Sequence, residues 1–130
     1  AYWKAVLFLV SSVVFADQFS SSLLKPLFER LRPCHVAEFQ TWIHLPAGCG
    51  GQFGFCSSHA ANSFAIAVGF YLLTKNKFAG LALMLWASLI SYSRIYLGAH
   101  YPLDVIVGAF VGSAGAWGLF KIYVRLIKKS

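Results

Sequence analysis

Residues 103–127 read LDVIVGAFVGSAGAWGLFKIYVRLI, an apolar run interrupted by few charged residues. A helix rises about 1.5 Å per residue, so roughly 20 apolar residues cross the hydrocarbon core of a bilayer. The run is long enough, and it predicts a membrane-spanning helix. Its glycines, spaced three or four apart, form a small-residue stripe that is typical of close helix packing, made of Gly108, Gly112, Gly115 and Gly118.

Three more apolar segments precede this one, at about residues 5–24, 58–74 and 78–93. A polar turn at 75–77 separates the last two, and a long loop rich in Gly and Pro precedes the segment at 58–74. We therefore predict an all-α fold: a polytopic transmembrane bundle of four helices that forms a single domain over residues 1–130.

The composition supports a membrane location. The chain is 58% hydrophobic and 12% charged, whereas soluble domains are about 45–50% apolar and about 25% charged. A net charge of +7 is also found in nucleic-acid-binding proteins, but no basic run with interleaved aromatic residues is present. The charge is better explained by anionic lipid and phosphate, so we expect a bilayer and a phosphorylated lipid as partners, and no nucleic acid.

The basic residues predict how the helices are oriented. If the four helices alternate, one face of the membrane carries Lys4, Lys75, Lys77, Lys121, Arg125, Lys128 and Lys129. The other face carries Lys25, Arg30, Arg32 and Arg94. Because cytoplasmic faces carry the excess of Lys and Arg, we predict a cytoplasmic C-terminus and an extracytoplasmic loop at 33–56.

The cysteines fit an oxidising side of the membrane. Cys34 and Cys49 bracket the predicted extracytoplasmic loop, and a disulfide between them would stabilise the fold by about 3 kcal/mol. The alternative is two unpaired thiols. Cys56 would stay free. No Cys and His spacing fits a zinc site, and we interpret His35 and His44 as polar loop residues.

Three polar clusters fall on the extracytoplasmic face. They are Lys25 with Arg32, Ser57-Ser58-His59, and Arg94 with His100 and Asp104. Ionisable groups at the ends of membrane helices are costly unless they have a partner or a task. Three cations against one carboxylate indicate that the clusters bind an anion with several oxygens. Phosphate fits, because the planar guanidinium of Arg can contact two of its oxygens and Lys adds a positive charge.

The order of these residues predicts a phosphoryl-transfer site. Ser57 and Ser58 stand where a helix begins, so they can cap it while free backbone N–H groups face the anion. His100 and Asp104 are four residues apart, so they share a face if that turn is helical. Asp104 can then accept the proton on one ring nitrogen of His100 while the other nitrogen attacks phosphorus. His59 can then protonate the leaving oxygen. The scheme needs no metal and no cofactor.

The same residues resemble the signatures of the type 2 phosphatidic acid phosphatase family. Residues 25–33, KPLFERLRP, fit a Lys, six residues, then Arg-Pro, and residues 93–104, SRIYLGAHYPLD, fit Ser-Arg, five residues, His, three residues, Asp. Residues 56–59, CSSH, stand where the family has Pro-Ser-Gly-His. Cys56 thus replaces Pro, and Ser58 replaces a Gly whose N–H is thought to contact phosphate.

The resemblance implies a helical bundle and a phosphohistidine mechanism. By carry-over, His100 is the nucleophile, Asp104 its orienting partner and His59 the acid. The phosphate ligands would be Lys25, Arg32, Ser57, Ser58 and Arg94. Membrane members usually have six helices, so the family implies two more helices before Ala1.

We therefore predict an integral-membrane lipid phosphatase or diphosphatase of a bacterial inner membrane, acting on undecaprenyl diphosphate, phosphatidylglycerol phosphate or lipid A. A lipid-to-lipid phosphotransferase shares the first half-reaction, and a non-catalytic transporter or scaffold is a further alternative. We interpret Arg30 as a headgroup or surface charge. Asp17, inside a membrane segment, is either functional or a structural partner of a cation or a helix end.

Overall fold

A computed structural model describes residues 2–43 and 49–129. The first helix begins as α1 (Tyr2–Gln18), continues through a π-helical stretch (Phe19–Leu24) and ends as α2 (Lys25–Phe28). It is thus longer at both ends than the predicted 5–24. Pro26 does not stop it: the turn before Pro26 is π-helical, with the Lys25 N–H bonded to the Ser20 carbonyl oxygen, and the chain stays helical to Phe28.

The other helices are α3 (Ser58–Thr74), α4 (Lys77–Tyr96) and α5 (Pro102–Lys128). Their positions confirm the prediction, although α4 runs three residues beyond its predicted end at residue 93. The Ser57 side chain caps α3 by accepting a hydrogen bond from the Ala60 N–H at 3.2 Å. Proline begins α5, as its position in the sequence predicts.

Helix α3 is the centre of the bundle and contacts α1, α4 and α5. Its packing face is built of small buried residues, namely Ala60, Ala61, Ala65, Ala67 and Gly69. Small residues let helix backbones approach closely. Membrane helices associate through such close packing, because lipid tails are as apolar as the side chains and no hydrophobic force drives the helices together.

The glycine stripe of α5 faces α3 and α1 over most of its length. A Cβ atom on Gly108 would clash with the Ser57 carbonyl oxygen, and one on Gly112 with the Ala61 carbonyl oxygen. At Gly115 it would meet the Phe15 ring, but at Gly118 it would meet open space. The packing prediction is confirmed for the first three glycines and wrong for Gly118.

The outward faces of the bundle are apolar. Large exposed hydrophobic residues include Val6, Leu7, Val10 and Val14 on α1, Leu81, Leu85 and Leu89 on α4, and Ile106 and Phe110 on α5. In the described part of the chain, three helical stretches are long and apolar enough to cross a membrane, namely Tyr2–Phe28, Lys77–Tyr96 and Pro102–Lys128. Helix α3, with 17 residues, is shorter. The helical membrane bundle is confirmed, while four crossings remain a prediction.

The loop between the first helix and α3 is tied down at several points. It contains two short 3-10 helices, Pro33–His35 and Ala37–Phe39, and an isolated antiparallel bridge between Leu31 and Phe53. Cys34 and Cys49 form the predicted disulfide, with their Cα atoms 5.8 Å apart. Cys56 is free and buried.

One backbone hydrogen bond joins this loop to the link between α4 and α5. The Cys34 N–H donates to the Gly98 carbonyl oxygen at 3.0 Å. His35 is a polar loop residue, as predicted: its Nε2 lies 3.2 Å from the Gly50 oxygen and 3.1 Å from the Gly51 oxygen. His44 lies outside the described residues.

Candidate active site

The predicted site residues meet at one end of the bundle. Two backbone hydrogen bonds fix the link between the helices there: the Ser57 N–H donates to the Asp104 carbonyl oxygen at 3.0 Å, and the His100 N–H to the Arg94 carbonyl oxygen at 3.2 Å. They join the start of α3 to the start of α5, and the end of α4 to the α4–α5 link. They bring the second and third sequence clusters together, and the hydrogen bond from Lys25 to Ser58 adds the first.

Lys25 is held by Ser58. Its Nζ donates to the Ser58 Oγ at 2.6 Å, while the hydroxyls of Ser20 and Ser21 lie 3.0 and 2.9 Å from the same oxygen. A hydroxyl offers one donor and two acceptor positions, so these three contacts use its whole capacity. Ser58 thus positions Lys25, and only its backbone N–H is left to serve an anion.

Arg32 lies against the loop that precedes α3. Its Nε donates to the Phe53 carbonyl oxygen at 3.4 Å. Gly54 separates it from His100: a Cβ atom there would lie 2.9 Å from the Arg32 Cγ and 3.4 Å from the His100 Nδ1. Burial, together with nearby Arg94, lowers the pKa of Arg32. The close contact requires glycine at position 54.

His100 is buried, with 2% of its surface exposed. Burial, and then the charges of Arg32 and Lys25, lower the pKa of His100 to about 3. At neutral pH the ring is therefore uncharged and keeps the lone pair that a nucleophile needs. Its Nδ1 lies 3.5 Å from the Asp104 Oδ2 and has no hydrogen-bond partner in the described part of the chain.

Asp104 is 1% exposed, and Arg30 is its counter-ion. The Asp104 Oδ1 forms an ion pair with the Arg30 guanidinium, and its Oδ2 accepts from the Tyr101 N–H at 2.8 Å. The guanidinium carbon also lies 4.9 Å from the Phe55 ring centroid and 5.2 Å from that of Tyr101. The interpretation of Arg30 as a headgroup or surface charge is therefore wrong.

Sequence reasoning missed this role because positions 30 and 104 are joined only by the fold. The one signal in the sequence is indirect. If Asp104 is buried beside a neutral His100, its charge needs a cation, and the sequence offers four on the same predicted face: Lys25, Arg30, Arg32 and Arg94.

Arg94 and His59 complete the site. Arg94 lies in the last turn of α4, and its Nε is buried without a hydrogen-bond partner among the described residues. Buried donors are normally hydrogen-bonded, so the Arg94 Nε is expected to donate to an oxygen of a bound ligand. His59, the second residue of α3, is exposed and lies within electrostatic reach of Arg94, Lys25 and Arg32.

Asp17 lies below the site as a structural partner. Its Oδ1 accepts from the Asn62 Nδ2 of α3 at 3.2 Å, and its Oδ2 accepts from the Gln18 Nε2 at 3.4 Å. Of the two interpretations of Asp17, these contacts favour support of the α1–α3 junction. No group of three or more His, Cys, Asp or Glu side chains within residues 2–43 and 49–129 is placed to hold a metal ion.

The fold and the site define a class: a membrane-embedded helical bundle with a neutral, buried histidine among fixed cations that suit a phosphoryl group. The comparison with known families agrees, since the PAP2 superfamily model matches residues 2–128. The chain belongs to the PAP2 superfamily.

The curated relatives are phosphatases that act on lipids. The chain is 39% identical to a lipid A 4'-phosphatase of Bacteroides thetaiotaomicron, over 96% of this chain and 58% of that protein. It is 36% identical to the lipid A 4'-phosphatase of Porphyromonas gingivalis, over 93% of this chain and 53% of the relative. A lipid A 1-phosphatase of Rhizobium etli is 32% identical, over 81% of this chain and 44% of its own.

The chain thus spans a little over half the length of the first two relatives. No solved structure matches it significantly.

Proposed function

We propose that the protein hydrolyses a phosphate ester of a membrane lipid through a phosphohistidine intermediate on His100. The observation that supports this best is the uncharged, buried His100 beside Asp104, with Lys25, Arg32 and Arg94 around it. The cations would stabilise negative charge on the phosphoryl oxygens as the transition state forms.

The first half-reaction forms the intermediate. The Nε2 of His100 attacks phosphorus while Nδ1–H faces Asp104, and the bond between phosphorus and the lipid oxygen breaks. A protonated His59 gives its proton to that leaving oxygen, so the dephosphorylated lipid departs as a neutral alcohol. If the substrate is a diphosphate, the leaving group is a lipid monophosphate instead.

The second half-reaction regenerates the enzyme. Neutral His59 takes a proton from water as the water oxygen attacks the phosphohistidine, and the phosphorus–nitrogen bond breaks. Inorganic phosphate leaves, and both histidines return to their starting protonation states. Metal independence stays a prediction, which a chelator in the assay tests.

We propose lipid A as the first substrate to test, because two lipid A 4'-phosphatases match more than nine-tenths of this chain. The measurement is phosphate release by the purified protein, with chelator present, from lipid A, undecaprenyl diphosphate and phosphatidylglycerol phosphate. His100→Ala should abolish release while the helical circular dichroism stays unchanged. Turnover by the variant above about 1% of the original rate would contradict the nucleophile assignment.

A phosphotransferase is distinguished in the same assay. It would form labelled phosphohistidine from the lipid but release phosphate only slowly, until an acceptor lipid is added.

We further propose that the site faces the extracytoplasmic side of a bacterial inner membrane and that the C-terminus is cytoplasmic. The excess of basic residues at the end of the bundle away from the site supports this orientation, as does the Cys34–Cys49 disulfide at the site end. In intact cells, a membrane-impermeant maleimide should label Glu38→Cys and should not label Lys129→Cys until the membrane is permeabilised. The reverse pattern would contradict the orientation.

A further inference from the structure

A cavity lies at the end of the bundle opposite the candidate active site, between the end of α3 and α5. Its volume is about 500 Å³. Its walls combine apolar residues, among them Leu72, Trp117 and Phe120, with three cations, Lys75, Lys121 and Arg125. The cavity is therefore amphipathic and lies at the side of a membrane helix bundle.

Within residues 2–43 and 49–129, the three cations have no acidic partner. The chain has only four acidic residues, Asp17, Glu29, Glu38 and Asp104. Asp104 pairs with Arg30, and Asp17 accepts from Asn62. Within the described residues, no carboxylate forms an ion pair with a cation that lines the cavity. Positive charge here is left for a ligand to neutralise.

The fold holds these cations in place. Lys75 ends α3 with φ of 54°, and its Nζ lies 5.1 Å from the Phe120 ring centroid on α5. The Lys121 Nζ lies 3.6 Å from the Trp117 centroid, and Arg125 follows one turn later on the same face. The C-terminal end of α3 contributes a partial negative charge of only about half an elementary charge, which three full positive charges exceed.

We propose that this cavity binds one anionic phospholipid from the leaflet away from the active site. The phosphate would lie among Lys75, Lys121 and Arg125, and the start of the acyl chains would cover Leu72 and Phe120. A phospholipid fits better than a soluble anion because apolar side chains line the cavity beside the cations.

The test is native mass spectrometry of the delipidated protein in detergent, titrated with phosphatidylglycerol or with phosphatidylcholine of the same acyl chains. The unaltered protein should bind the first phosphatidylglycerol more tightly than phosphatidylcholine. Lys75→Gln with Lys121→Gln should weaken phosphatidylglycerol binding about 30-fold, since each basic residue near an anionic headgroup contributes roughly fivefold.

The matched control is Lys77→Gln with Lys128→Gln, which removes the same charge from the same end of the bundle but not from the cavity. It should change affinity less than about threefold. Lys75→Arg with Lys121→Arg, which keeps the charge, should retain tight binding. Equal affinity for the two lipids, or equal weakening in both Gln pairs, would overturn the proposal. The readout is binding alone, so it is independent of phosphatase activity.

Discussion

At the residue scale, Asp104 is shared between a cation and a neutral histidine. The Arg30 guanidinium neutralises its charge, and the His100 ring lies 3.5 Å away. A carboxylate that is already paired does little to stabilise a proton on His100. We therefore expect Arg30 to act through Asp104 on His100, the proposed nucleophile, as a positioning residue.

Arg30→Gln should therefore raise the pKa of His100 above about 3, because the unpaired Asp104 carboxylate would stabilise a proton on the ring; burial and the charges of Arg32 and Lys25, which lower that pKa, stay unchanged. A higher pKa means that the ring is protonated, and inactive, at a higher pH, so the acid limb of the kcat profile should move upward. We expect kcat to fall by about 10-fold or more while KM changes less than about threefold, because Arg30 does not hold the phosphate. The measurement is phosphate release against pH.

Arg30→Lys, which keeps the charge but loses the planar fork, should retain part of the activity. If instead Arg30→Gln raises KM and leaves the pH profile in place, Arg30 is a phosphate ligand and the positioning role is wrong.

Residue-scale prediction from sequence succeeded where partners are close in the chain. The spacing of four residues between His100 and Asp104 predicts that they lie close together, although His100 precedes α5 and the two share no helix face. Ser57 before an apolar helix predicts its cap. It failed for Arg30 with Asp104 and for Lys25 with Ser58, whose partners are many positions apart and show no periodic pattern. Such pairs exist only after the helices pack.

At the element scale, the crossing of α3 and α5 fixes the distance between the two halves of the site. Helix α3 carries Ser58 and His59, and α5 carries Asp104. At the crossing, Gly108 and Gly112 of α5 face the backbone of α3. A wider crossing would move His59, the proposed acid, away from Asp104.

Gly112→Ala should therefore destabilise the protein by about 2 kcal/mol or more, because its methyl group would clash with the Ala61 carbonyl oxygen. Gly118→Ala is the matched control. It meets open space, so the better helix propensity of Ala should leave stability equal or slightly higher. Thermal unfolding in detergent, followed by circular dichroism, measures both. Equal losses in the two variants would contradict the packing argument.

Hydropathy located the first helix and α3 to α5, yet it misjudged where the first helix ends. The prediction ended it at about residue 24, but the π-helical stretch Phe19–Leu24 is followed directly by α2, which runs to Phe28. The wider turn lets the adjacent Ser20 and Ser21 both reach Ser58. Apolar periodicity cannot predict this, because the polar contacts that stabilise it come from another helix.

At the scale of the whole molecule, the two ends of the bundle differ. The Cys34–Cys49 disulfide lies at the end that holds the site, and most basic residues lie at the other end. The disulfide closes the loop at Cys34, whose N–H is bonded to the Gly98 carbonyl oxygen just before His100. Cross-linking over 15 positions should stabilise the fold by about 3 kcal/mol in the chain-entropy model. Such a bond persists only on an oxidising side of the membrane, so its state also reports the orientation of the bundle.

The thiol count in protein taken directly from cells tests this. The chain has three cysteines, and only Cys56 is free. Denatured without reductant, it should take up one polyethylene-glycol maleimide, and after reduction three. Cys34→Ser should take up two in either condition and should unfold at a lower temperature than the unaltered protein. Three adducts without reductant would mean that the loop lies in a reducing compartment, which would contradict the disulfide and the extracytoplasmic site together.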